Sequence, residues 1–165
     1  MSTNVISASQ RAVNGLASPP SSAVFDRARV PAASPDQAVR AAARAVPDSE
    51  LRAVCRGDIS VAMQPRAMLA VLGCCYAYDI YASWDVEQLM RRDAEFRRLC
   101  GNEFPDALTL KRFRRYNREA LERCVMEMLR AVAVESGKRP TDGELRDEAH
   151  ERVNTAILMD MHENY

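Results

Sequence analysis

Apolar residues in this 165-residue chain recur at intervals of three and four over most of its length, the period of a helix buried along one side. After Pro65, the residues Met68, Leu69, Leu72, Cys75, Tyr76 and Ile80 follow that period. Val71, Cys74 and Tyr78 widen the apolar surface almost all round, which predicts the central helix of a bundle. Over 118–135, Leu121, Val125, Met128 and Val132 make a core stripe or a coiled-coil-like seam, ended by Gly137 and Pro140. Thr141-Asp142-Gly143-Glu144 then reads as a capping box. The last helix sets Leu145, Ala149, Val153, Ala156 or Ile157, and Asp160 or Met161 on one side. Its other side carries Glu144, Asp147, Glu148 and Glu151, and the helix can pack in cis, dimerise or shield a basic patch.

Shorter elements follow from punctuation. Ser34-Pro35-Asp36-Gln37 suits a helix start, and Pro47 stops that helix after about Val46. Asp48 is placed to cap a second short helix over 49–56, with Gly57 as its end. Ser83 is expected to cap a helix over 84–92. A further helix over 94–100 turns Phe96, Leu99 and Cys100 inward and stops at Gly101. Period-two alternation over strand length is not apparent, so the expected fold class is all-α, a compact helical bundle. Residues 1–33, rich in Ser, Ala and Pro with no sustained period, read as a disordered leader. The expected organisation is therefore leader, helical domain over 34–135 and acidic C-terminal helix over 136–165.

The stretch 104–118 changes the picture from fold to function. Asp106 after Pro105 is a natural N-cap whose charge suits the positive end of a helix. Thr109, Leu110, Phe113 and Tyr116 fall on one side, with Lys111, Arg114, Arg115 and Arg118 on the other. Arginine and lysine neutralise phosphates, and arginine reads guanine edges with two hydrogen bonds, so such a helix suits double-stranded DNA. An ordinary solvated face is the alternative for any charge run. The formal net charge is zero, but 1–83 carries +2, 84–118 carries +3 and 119–165 carries −5. Segment 97–118 alone holds seven basic residues against two acidic. A nucleic-acid role is thus local to that patch, with Arg97, Arg98 and Arg112 flanking it.

Other chemistry is sparse. The five cysteines, Cys55, Cys74, Cys75, Cys100 and Cys124, are odd in number, lack C-x-x-C spacing and mostly fall in apolar patterns, as core residues of a reducing compartment do. His150 and His162 stand twelve positions apart, roughly 18 Å along a helix, too far to converge on a metal. No phosphate loop or nucleophile elbow is visible. No apolar run reaches bilayer-spanning length and no signal peptide opens the chain, so a cytoplasmic protein without membrane, metal or cofactor is expected. Phe96 and Phe113 are expected in the core; Trp84 and Tyr116 are equally suited to core or base stacking.

Pro65-Arg66-Ala67-Met68-Leu69-Ala70-Val71-Leu72, the segment 83–91, Arg97-Arg98-Leu99-Cys100-Gly101 and Pro105-Asp106-Ala107-Leu108-Thr109-Leu110-Lys111-Arg112-Phe113-Arg114 together resemble one known domain. It is the N-terminal, InsH-type domain of bacterial insertion-sequence transposases, and the resemblance covers residues 65–132. It implies a helical DNA-binding or assembly domain that recognises transposon ends and precedes a ribonuclease-H-like catalytic domain with three carboxylates. Asp160 is the sole candidate for the first of these, but Met161-His162 follows it where the family has glycine and a hydroxyl residue. The expectation is accordingly a DNA-binding, non-enzymatic domain in which 84–100 and 106–117 form a helix-turn-helix-like unit. The competing expectation is an assembly module that forms a homo-oligomer or pairs with a full-length transposase. An inert remnant is the third.

Overall fold

In a computed structural model of the chain, residues 35–53, 55–56, 59–60, 64–101 and 103–162 are described. The leader, the Ser34 cap and Gly57 lie outside them. Helix α1 spans Pro35–Arg44 and is followed by a single 3-10 turn, Asp48–Glu50. Two-residue strands β1 (Cys55–Arg56) and β2 (Ile59–Ser60) pair antiparallel, Cys55 opposite Ser60. Then come α2 (Pro65–Ala77), α3 (Ser83–Arg92), α4 (Ala94–Cys100), α5 (Ala107–Tyr116), α6 (Arg118–Glu135) and α7 (Asp142–His162). The all-α class holds, the short ladder aside.

The helix expected over 49–56 is absent beyond its first turn. Asp48 does not cap it: no side-chain bond closes that N-terminus, and the Asp48 carboxylate instead takes the Arg66 guanidinium. Arg66 also donates to the Ala43 and Val46 carbonyls, in the last turn of α1 and just past it. A partner from α2 thus outcompetes the local cap.

Helix α2 is the centre of the bundle, as its pattern requires. Proline occupies its first turn, every residue from Met68 to Ala77 is buried, and α1, α4, α5, α6 and α7 pack against it. The α2–α6 crossing is close at Gly73, where a Cβ would stand 2.6 Å from the Cys124 sulfur. Gly73→Ala is expected to lower the unfolding free energy by about 1–2 kcal/mol despite alanine's better helix propensity. Adding Cys124→Ala should relieve part of that loss in urea denaturation. Strictly additive losses would mean that the two residues do not touch. Burial pushes the thiols of Cys74 and Cys124 up to about 12, as inert core cysteines require.

Helix α7 packs in cis. Leu145, Ala149, Val153 and Ala156 are buried against α6, α2 and α5, while the acidic side faces solvent. Its capping box forms as written, with Thr141 N donating to Glu144 Oε2 at 2.7 Å and Glu144 N to Thr141 Oγ1 at 3.3 Å. Arg152 of α7 reaches the Tyr76 and Ala77 carbonyls at 2.7 and 3.2 Å, so α7 closes the C-terminus of α2 as Arg66 closes that of α1. No helix among the described residues is long and apolar enough to cross a membrane.

Candidate nucleic-acid interface

Helix α5 starts as its sequence dictates and is then held from two sides. Asp106 is the N-cap, accepting from Thr109 N at 2.8 Å. A second carboxylate comes from α3: Glu87 Oε2 accepts from Ala107 N at 2.9 Å, on the positive end of the helix. Its Oε1 takes the Arg91 guanidinium at 3.0 and 3.2 Å, and that guanidinium lies 5.8 Å from the centre of the Phe104 ring. At the other end, Asn117 accepts from Arg52 N at 2.6 Å and donates to Arg52 O at 2.9 Å and Phe113 O at 3.1 Å. The end of α5 is thereby tied to the segment that precedes β1.

The buried arc of α5 is Thr109, Leu110, Phe113 and Arg114. Arg114 corrects the expected cationic face: it has no exposed surface. An arginine carries five N–H donors, and each meets an acceptor here. Nε donates to the Tyr76 hydroxyl. One terminal nitrogen donates to Ala156 O at 2.8 Å and to Asp160, the other to Tyr81 O and the Ser83 hydroxyl, both at 3.1 Å. Ser83 in turn donates to Asp160 at 2.8 Å. Ser83 therefore does not cap α3, whose N-terminus has no side-chain cap. Tyr76 is buried with them; burial pushes its phenol up and the guanidinium opposes this. Asp160, the one carboxylate with a claim to catalysis, is thus the counter-ion of a structural arginine.

The remaining predicted residues separate into three groups. Arg112 and Arg115 are exposed on α5 and form no ion pair with another described residue. Leu108 and Tyr116, 53% and 56% exposed, share their side of the helix, an arc of about 100°. Tyr116 thus leaves the apolar side expected for it, and Lys111, half-buried, lies on the flank. Arg97 and Arg98 are exposed on α4, Arg97 donating to Arg91 O at 2.9 Å. That contact and the Arg91–Glu87–Ala107 chain bring Arg97 towards the start of α5. Arg118 belongs to α6 and is turned to Glu122 at 3.1 Å and to Asn154, so it does not extend the α5 stripe. Arg91, also exposed, joins the site from the last turn of α3, where a basic residue suits the negative end of the helix. The nearby Phe104 was the available signal, since an arginine and an aromatic often pair. Phe96 and Phe113 are core and Trp84 is exposed.

Helix α3 packs on both α4 and α5. Basic side chains thereby run from α4 across the end of α3 to the outer side of α5. Among known families, the one described as Transposase domain (DUF772) matches residues 28–116, which include α1 to α5 and stop at the last residue of α5. No curated protein and no solved structure gave a significant match.

Proposed function

From the premise that this chain belongs to the Transposase domain (DUF772) family, we propose that it is a DNA-binding module of transposition that meets the duplex with the outer side of α5. Its role is transposition-associated, and a cytoplasmic setting suits it. The observation that carries the reading is the exposed pair Arg112 and Arg115, without a carboxylate partner among the described residues, on a helix whose opposite side is anchored in the core. Arg123 meets Glu50, and Arg130 meets Glu127 and Asp142, whereas Arg112 and Arg115 stand together on one short helix with no described carboxylate on either. Two cations left open on one stripe are suited to an anionic partner. Arg97 extends the positive surface towards flanking phosphates, beside Arg91 and Arg98, which are already paired with Glu87 and Glu95, and we take α3 and α4 with α5 as the helix-turn-helix-like unit. We also propose that the chain acts by binding and not by strand transfer, because Asp160 is held by Arg114 and Ser83.

Fluorescence anisotropy of the full chain with random duplex DNA tests this directly. Micromolar or tighter binding at about 50 mM salt, weakening by tenfold or more at 200 mM, is expected from counterion release. Absence of binding at low salt would overturn it.

A second reading has its own observation. Trp84 of α3 and Leu158, Met159 and Met161 of α7 are all exposed, and the Ser83–Asp160 bond brings the two helix ends together. Exposed apolar clusters of this kind serve protein contacts. In this reading the chain associates with itself or with a full-length transposase. A dimer at tens of micromolar in light scattering, lost in Trp84→Ser, is expected for self-association; a strict monomer counts against it.

A further inference from the structure

We propose that the outer stripe of α5 reads base edges in the major groove, with Arg112 and Arg115 on guanines and Leu108 on the C5 methyl of a thymine. This rests on the DNA-binding reading above and assigns base contacts to particular side chains. A surface that only tracks phosphates needs cations, and it has no use for a large apolar side chain among them. Here the two open guanidiniums share one narrow arc with Leu108, which lies between them, and with Tyr116 at its edge, both apolar residues more than half exposed. Guanine presents O6 and N7 to a guanidinium fork, and thymine presents a methyl group beside them; apolar contact with that methyl is a standard form of readout. Position along the helix agrees. Leu108 is the second residue of α5 and lies in the N-terminal part of the helix, the part that reaches base edges in groove-inserted helices. From Leu108 to Arg115 the rise is about 10.5 Å, which spans about three base-pair steps at 3.4 Å each. A major groove about 12 Å wide admits a helix side of this kind.

The phase of the helix is what turns the stripe outward. With Arg114 drawn inward onto Asp160, Tyr76 and Ser83, Arg112 and Arg115 emerge on the same side as Leu108. Had the expected side of Lys111, Arg114, Arg115 and Arg118 been presented, Leu108 would have lain about 70° from its centre.

The test begins with selection of preferred duplexes from a randomised pool by the full chain. Enrichment of guanine and thymine within about four consecutive base pairs is expected. In the enriched site, replacing guanine by 7-deazaguanine, which removes only the N7 acceptor, should weaken binding at least fivefold. The penalty at one guanine should vanish in Arg112→Ala or Arg115→Ala. Replacing thymine by deoxyuridine, which removes only the methyl, should weaken binding about fourfold in the unaltered chain and not at all in Leu108→Ala. If random duplex is bound with steep salt dependence but no sequence is enriched, base reading is overturned and DNA binding stands. If no duplex is bound, both fall. A uracil penalty that persists in Leu108→Ala overturns the assignment of Leu108.

Discussion

Replacing Arg114 by alanine is expected to lower the unfolding free energy by about 3–5 kcal/mol, the usual cost of removing one partner of a buried ion pair. The loss exceeds that of an ordinary surface arginine because five acceptors from three parts of the chain lose their donor together. Asp160 would be left as a buried charge beside Ser83, and the hydroxyl of Tyr76 would lose its partner. Arg114→Lys should recover little, since an ammonium cannot reproduce the fork that meets Tyr81, Ser83, Ala156, Asp160 and Tyr76 at once. Removing both charges, as in Arg114→Met with Asp160→Leu, should cost clearly less than the sum of the single changes, because neither ion is then stranded. Urea denaturation measures all five variants, the two single changes of that pair included. A loss below about 1 kcal/mol for Arg114→Ala would mean that the guanidinium is not enclosed.

The largest expected effect on binding comes from the neighbouring positions. Arg112→Ala with Arg115→Ala should weaken duplex binding at least tenfold at about 100 mM salt. If the pair contacts phosphates, the slope of log affinity against log salt should also fall by nearly two; if it reads guanines, the slope should change little and the sequence preference should relax. Stability should change by less than about 0.5 kcal/mol, because both side chains are exposed and unpaired among the described residues. The contrast between adjacent positions is the point of the pair of experiments. Arg114 fails by unfolding and Arg115 by loss of affinity, although the sequence gives both the same charge on one helix. A joint Arg114 and Arg115 substitution, natural from the charge pattern alone, would mix the two effects. Unchanged affinity and slope in the Arg112/Arg115 variant would remove α5 from the interface.

Membership of the transposase-domain family extends to Tyr116 and so includes α5 but neither α6 nor α7. Yet α7 supplies Asp160 and the Ala156 carbonyl to Arg114, within the matched segment. The orientation of the proposed DNA-facing helix thus depends on residues outside the match. Helix α7 has a second hold through Arg152 on the end of α2.

Periodicity and local chemistry determined most of the elements. The apolar surround of α2, the stripe of α6 from Leu121 to Met128 without its expected last member Val132, the Thr141–Glu144 box, the Asp106 cap and the Gly101 stop are relations within a few residues. Each forms as its spacing requires, and Gly101 takes the left-handed conformation at φ 64°. The concentration of cations in 97–118 was legible for the same reason. What the tertiary structure alone decided is which side of α5 faces out. Arg114 meets Tyr76 across 38 residues and Asp160 across 46, and only that juxtaposition makes a charged side chain stable inside. Asp48 and Ser83 follow the same physics. Both have the chemistry of caps, but Arg66 and the Arg114–Asp160 pair offer them bonds across 18 to 77 residues that the local helix ends do not match. A short-range pattern encodes which atoms recur along a helix, whereas a counter-ion is chosen by what the folded chain brings within reach.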